Sequence, residues 1–159
     1  LNIALAEEDL VQIREELAES GYIRRKGGQK KVKITSRPFH YLSSDGFHIY
    51  VGKNNLQNDT LTFKFASGGD WWFHAKGIPG SHVVVKTEGK PLPDRTFEEA
   101  AALAAYYSGA RGSEKAEVDY IEKKHVKKPA GARPGFVVYY TNYSMSIGTD
   151  ISGIQLLES

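Results

Sequence analysis

Between Asp70 and Val85 the chain alternates apolar and polar residues, breaks at Gly77-Ile78-Pro79-Gly80 and resumes as a β-branched run. This pattern predicts two strands joined by a Pro-Gly turn. Successive strand side chains point to opposite faces, so Asp70, Trp72, His74 and Lys76 share one face, and Trp71, Phe73 and Ala75 the other. The second set is wholly apolar and reads as core. A further hairpin is predicted upstream, where Phe39–Leu42 and Phe47–Val51 flank an Asp45-Gly46 turn. Between the hairpins, Asn58 or Asp59 is placed to cap a short helix through Ala66, with Leu61 and Phe65 one turn apart.

Downstream, Thr96-Phe97-Glu98-Glu99 reads as a capping box opening an alanine-rich helix that Gly109 stops. Ala116–Ile121 reads as a short strand and Phe136–Tyr143 as a long one, with Tyr139 and Tyr143 on one face and Tyr140 on the other. At the start, Ile3, Leu10, Ile13 and Leu17 recur at helical spacing. They predict a helix over residues 3–20 that ends at Gly21 and carries the narrow apolar stripe of a coiled coil. The expected organisation is a coiled-coil end over 1–21, a basic linker over 22–38 and an α+β domain over 39–159. Its sheet is mainly antiparallel, with the alanine-rich helix packed on it.

The polar face of the central hairpin joins a carboxylate, an indole, an imidazole and an ammonium in one row. An odd-length connection brings His82 onto that face opposite Lys76; an even one puts Ser81 there and turns His82 towards the core. Trp72 then offers a stacking surface, and His74 and Lys76 offer polar and cationic contacts. The loop Gly52–Asp59 carries Lys53, Asn54, Asn55 and Asn58, whose amides either satisfy their own backbone or hydrogen-bond phosphates and base edges.

Charge sharpens this reading. The net charge of +2 over 159 residues hides segregated clusters. Residues 21–40 contain Arg24, Arg25, Lys26, Lys30, Lys31, Lys33 and Arg37 without an acid, and residues 123–133 contain Lys123, Lys124, Lys127, Lys128 and Arg133 without one. Such clusters point to a polyanionic partner. The chain has no cysteine, which excludes a disulfide scaffold and a thiolate metal site. No apolar run reaches the ~20 residues of a membrane span, and no signal peptide is read. A start at Leu1 suggests a piece of a longer protein, and a cytoplasmic location is expected.

Catalysis finds little support. No P-loop, G-x-S-x-G or H-E-x-x-H string is present. Asp70, His74 and Ser81 lack an oxyanion hole, and a metal site on His74, His82 and Asp70 lacks a fourth ligand. The expectation is a binding module, not an enzyme, with no cofactor and no metal.

The string D-x-W-x-H-A-K-G-x-P-G-S-H-V at 70–83 resembles the NFACT-R domain of ribosome quality-control factors of the RqcH and NEMF type, whose Gram-positive members are also labelled fibronectin- or fibrinogen-binding. Further matching pieces follow in order: Ser43–Gly46, Val51–Asn55 with Gln57–Asp59, Glu99–Ala101 with Ala104–Ser108, Val118–Tyr120, and Val126–Pro129 with Gly131-Ala132 and Pro134-Gly135. The resemblance implies an RNA-binding module contacting tRNA or ribosomal RNA in a factor that promotes C-terminal tailing of stalled nascent chains. Implied partners are the large ribosomal subunit, tRNA (alanyl-tRNA in bacterial relatives) and other domains of the same factor, with no membrane; fibronectin or fibrinogen binding is the alternative. Peptide transfer is the ribosome's. The RNA contacts expected are Lys53, Asn54, Asn55, Asn58, Asp70, Trp72, His74, Lys76, Ser81, His82, Lys124, Lys127, Lys128 and Arg133. Two departures stand out: family members usually have Arg at the place of Lys53 and often Asp at that of Gly77.

Overall fold

A computed structural model describes residues 2–4 and 36–159. Among the described residues, ten strands and two α-helices follow one another in the order β1 (Asn2–Ala4), β2 (Phe39–Leu42), β3 (His48–Val51), α1 (Asn55–Thr60), β4 (Trp71–Ala75), β5 (Val83–Lys86), α2 (Asp94–Tyr106), β6 (Ala116–Glu122), β7 (Val126–Lys127), β8 (Val137–Tyr139), β9 (Tyr143–Ile147) and β10 (Gln155–Glu158). A π-helical turn, Leu61–Phe65, extends α1. Seven strands form an antiparallel sheet in the order β10-β2-β3-β5-β4-β6-β9, and β1-β8-β7 form a second, smaller antiparallel sheet. The α+β class and the mainly antiparallel sheet are as the pattern predicts. Of the helix expected over 3–20, Ile3 and Ala4 lie in β1 and the remainder falls outside the described residues, as does most of the basic linker.

The central strands of the large sheet are buried on both faces, and this decides where the candidate residues of the hairpin sit. Phe73, Val83, Val85, Ile49, Val51 and Val118 pack against the alanines of α2, of which Ala100, Ala101, Ala104 and Ala105 are wholly enclosed. Small side chains let the helix lie close to the strands, and Leu103 and Phe97 fill the remaining gaps. The opposite face carries Trp72, Val84 and Ile121 and is covered by Leu61, Ala66, Val126, Val137 and Tyr139. The α1 turn and the small sheet therefore form a second lid.

Two local expectations are corrected. Thr96 and Glu99 do not make a capping box, because α2 begins at Asp94 with Pro93 at the N-cap. They hold the β2–β3 turn instead: Thr96 Oγ1 donates to Asp45 Oδ2 at 2.9 Å and accepts from Ser43 Oγ at 2.9 Å, and Glu99 accepts from the Ser44 amide at 2.8 Å. The strand expected over 136–143 is two strands in different sheets. Thr141 turns the chain with φ of 55°, so Tyr139 is buried in the small sheet while Tyr143 enters β9 on the surface.

The hairpin register is settled by Trp72 pairing with Val84 and Phe73 with Val83. His82 consequently joins the face of Trp72 and His74, whose ring lies 5.7 Å away. That face does not meet solvent. Trp72 is 0% exposed, His74 and His82 1% and Asp70 2%. The indole packs edge-on against Tyr139 at 5.0 Å and His82 at 5.1 Å. Truncation of such a residue leaves a cavity, so Trp72→Ala should cost roughly 3–5 kcal/mol in urea unfolding. A loss within ~0.5 kcal/mol, typical of surface positions, would contradict the burial.

Candidate anion-binding site

Three segments converge on an open cleft of about 230 Å³. The first is the start of α1, supplying Lys53, Asn54, Asn55 and Asn58. The second is the β4–β5 connection, supplying Pro79, Gly80 and Ser81, and the third is the end of α2, supplying Tyr107, Ser108 and Arg111. Backbone hydrogen bonds fix this convergence: Ser81 N donates to Tyr107 O at 2.9 Å and Gly109 N to Pro79 O at 3.0 Å. Gly80 is required at the crossing, because a Cβ there would lie 2.9 Å from that of Ser108.

Asn54, and not Asn58 or Asp59, caps α1: its Oδ1 accepts from Gln57 N at 2.9 Å. Asn54 is 5% exposed, and its Nδ2 has no hydrogen-bond partner among the described residues. Asn58 Oδ1 accepts from the His82 amide at 3.1 Å. Gly52 lies so close to Asn58 that a Cβ would come within 2.0 Å of that oxygen. Asn58 is thus chiefly structural, whereas Asn54 keeps a donor to offer.

The cleft contains two cations and no carboxylate. Lys53 Nζ sits 4.8 Å above the Phe39 ring and makes no ion pair among the described residues. Arg111, a residue the sequence reading passed over, is held by its own neighbours. Its guanidinium lies 4.1 Å from the Tyr106 ring centre and 5.3 Å from that of Tyr107, and Nε donates to Tyr106 O at 2.8 Å. The terminal nitrogens remain as a planar fork.

The basic loop is fastened to the same helix. Lys128 Nζ forms a short ion pair with Asp59, which also accepts from Gly135 N at 3.1 Å. His82 reaches across to the loop. A carbonyl only accepts, so His82 Nε2 donates to Gly135 O at 3.1 Å, and Nδ1 accepts from Thr62 Oγ1 at 2.8 Å. Lys124 and Lys127 project to solvent, the former 3.7 Å from Glu122, and Arg133 is exposed. Lys128 is thereby largely neutralised, whereas Lys124 and Lys127 keep their charges open to solvent. Beside them, Ile121, Glu122, His125, Lys127, Tyr140, Thr141 and Tyr143 line a groove of about 470 Å³. Tyr140 and Tyr143 are each 58% exposed.

The expected row Asp70–Lys76 is therefore corrected as a contact surface. Asp70 is a buried anchor: it pairs with Lys86 Nζ at 2.6 Å and accepts from Thr87 N at 2.9 Å and Ser67 N at 2.8 Å. Burial opposes its charge, but these donors prevail and hold its pKa below the ordinary value. Trp72 and His74 are enclosed, and His82 braces the loop. Lys76 is exposed but lies 3.5 Å from buried Asp119, which also accepts from the hydroxyls of Tyr139 and Ser144 at 2.8 Å. Lys53, Asn54, Asn55 and Asn58 of the amide-rich loop and Ser81 of the hairpin, read separately in the sequence, line one cleft. Tyr107, Ser108 and Arg111 join it only through tertiary folding; a cation just past a helix-stopping glycine was the available signal. Among the described residues no three His, Asp or Glu side chains converge on a metal position, and no helix is long and apolar enough to cross a membrane.

The class of site defined here is an acid-free, cation-rimmed cleft beside an aromatic and basic groove on an α+β domain. Comparison with known proteins places the chain. A family model described as the NFACT protein RNA binding domain matches residues 37–140. Rqc2 homolog RqcH of Streptococcus suis is 53% identical over 137 residues, 86% of this chain and 24% of that protein. Rqc2 homolog RqcH of Bacillus subtilis is 47% identical over 146 residues, 89% of this chain and 25% of that protein. The solved C-terminal part of the fibronectin/fibrinogen-binding protein of Streptococcus suis superposes with a TM-score of 0.78 at 47% identity, covering 90% of this chain and 58% of that one. The chain belongs to the NFACT RNA-binding domain family and spans about a quarter of the length of the curated relatives it matches.

Burial lowers the pKa of His74 to about 4 against the pull of the Ala75 carbonyl and Asp119, and it lowers that of His82 well below 6.5, with His74 acting in the same direction. Both rings are neutral when folded and titrate near 6.5 when unfolded, so the unfolded chain binds more protons below that pH. Stability should therefore fall as pH drops from about 7 towards about 5, by up to ~1.4 kcal/mol per pH unit for each histidine. Urea midpoints measured across that window check the sign; a flat or rising profile towards acid would refute it.

Proposed function

We propose that this chain is the RNA-contacting module of a ribosome quality-control factor, acting by binding while peptide transfer stays with the ribosome. Its ligands are tRNA and the ribosomal RNA of the obstructed large subunit, in the cytoplasm, and its parent factor promotes C-terminal tailing of stalled nascent chains. The observation that carries this reading is the joint attachment of an acid-free cationic cleft and a solvent-facing lysine loop to one short helix, α1. The loop supplies charge through Lys124 and Lys127, and Tyr140 and Tyr143 offer the stacking faces that Trp72 cannot. The names of the relatives, including the human ribosome quality control complex subunit NEMF at 32% identity over 82 residues, support the same setting. Binding of fibronectin, the property in the name of the solved Streptococcus suis neighbour, is the alternative.

Affinity for single-stranded RNA should fall steeply with added salt. Lys124→Ala with Lys127→Ala should reduce the slope of log K against log salt by about 1.4, from two lost phosphate contacts at ~0.7 each. Filter binding over a salt series measures this. An unchanged slope would remove the loop from the interface, and saturable fibronectin binding without RNA binding would favour the alternative.

A further inference from the structure

We propose that the cleft between α1, the β4–β5 connection and the end of α2 is a seat for one RNA backbone phosphate, with Arg111, Lys53 and the side-chain amide of Asn54 as its donors. The proposal rests on the RNA reading above and names the chemical group which that one site takes.

Four observations converge. Among the described residues lining the cleft, both charged groups are cations, and neither has a carboxylate partner. An anion entering there meets no repulsion to offset its attraction. Second, Asn54 is almost wholly buried, fixed through Oδ1 by Gln57 N, and left with Nδ2 unpartnered. A buried amide donor without an acceptor is costly, and an acceptor oxygen in the cleft would relieve that cost. Third, Arg111 is preorganised: the Tyr106 and Tyr107 rings and the Nε hydrogen bond to Tyr106 O set its plane. Its two terminal nitrogens can then engage two phosphate oxygens at little entropic cost. Fourth, about 230 Å³ falls below the ~300–1,000 Å³ of pockets that enclose a whole drug-sized ligand. The space suits a phosphate with part of its ribose, while the base is left outside.

A phosphodiester is favoured over a metal-bound or cationic ligand because no acid lines the cleft. It is favoured over an isolated anion because the loop carrying Lys124 and Lys127 is fastened to the same helix and extends the positive track beyond the cleft.

The test is a ¹⁵N NMR titration of this chain with a short single-stranded oligoribonucleotide at low salt, following the Asn54 side-chain amide and the Ser81, Ser108 and Arg111 signals. These should shift together and saturate. Asn54→Asp keeps the helix cap, since aspartate also accepts from Gln57 N, but replaces the donor with an anion; it should weaken RNA binding about tenfold or more with the remaining spectrum intact. Arg111→Lys keeps the charge without the fork and should retain only part of the affinity. The double variant Lys124→Ala with Lys127→Ala should bind more weakly yet still move the cleft signals. If RNA binds but only signals of the 123–133 loop and Tyr140–Tyr143 move, or if Asn54→Asp binds normally, the phosphate seat is overturned while the RNA reading stands. If no RNA binds at low salt, the RNA reading falls and the seat with it. Movement of the cleft by inorganic phosphate but not by the oligonucleotide would also overturn the proposal.

Discussion

His82 is the joint on which the binding side of this domain depends. Its backbone amide donates to Asn58, its Nδ1 accepts from Thr62 and its Nε2 donates to Gly135, so one buried residue immediately before β5 is tied to α1, to the π-helical turn and to the basic loop. The arrangement works only while the ring is neutral, because a protonated imidazole would present a second donor to the Thr62 hydroxyl in a space closed to water. Burial enforces that neutrality. Ser81, the residue before it, opens into the cleft as a direct consequence of where His82 is anchored.

From this joint the division of labour across the sheet follows. One face packs against alanines and is plain core. The other holds an enclosed layer of polar and aromatic groups, Asp70, Trp72, His74, His82, Asp119 and Tyr139, each with a packing or hydrogen-bond duty inside the fold. Asp70 fastens the start of β4 to Lys86 and Thr87, and Asp119 fastens β6 to Tyr139 and Ser144. These residues position the proposed RNA-contacting surface without forming it. Lys53, Asn54, Arg111, Lys124, Lys127, Tyr140 and Tyr143 form that surface.

Much of the fold was legible because its periodicities are strong. The Phe39–Val51 hairpin, the 71–86 hairpin and the alanine-rich helix follow from alternation and spacing alone. The polar row at 70–76 was misread for a definite reason. An acid, an indole and an imidazole on one strand face imply partners, but their sequence does not say whether those partners are nucleotides or Lys86, Tyr139 and Gly135 from distant segments. The cleft was half legible. The Lys53–Asn58 loop announced itself by composition, whereas Arg111 sits 58 positions after Lys53 and reaches it only because Gly80 lets the hairpin turn touch Ser108. Thr96 and Glu99 have the spacing of a cap and serve a neighbouring turn, a tertiary contact that local spacing cannot distinguish from a local one.

The central claim is that RNA meets the cleft and the basic loop, and not the side of the domain that the start of α2 covers. Site-specific photocrosslinking of the parent factor on ribosomes tests it most directly, with a photoreactive residue placed in turn at Lys53, Arg111, Lys127 and, as a control near the start of α2, Glu98. RNA adducts at the first three positions and none at Glu98 are the predicted result. Adducts at Glu98 with none at Lys53, Arg111 or Lys127 would contradict it.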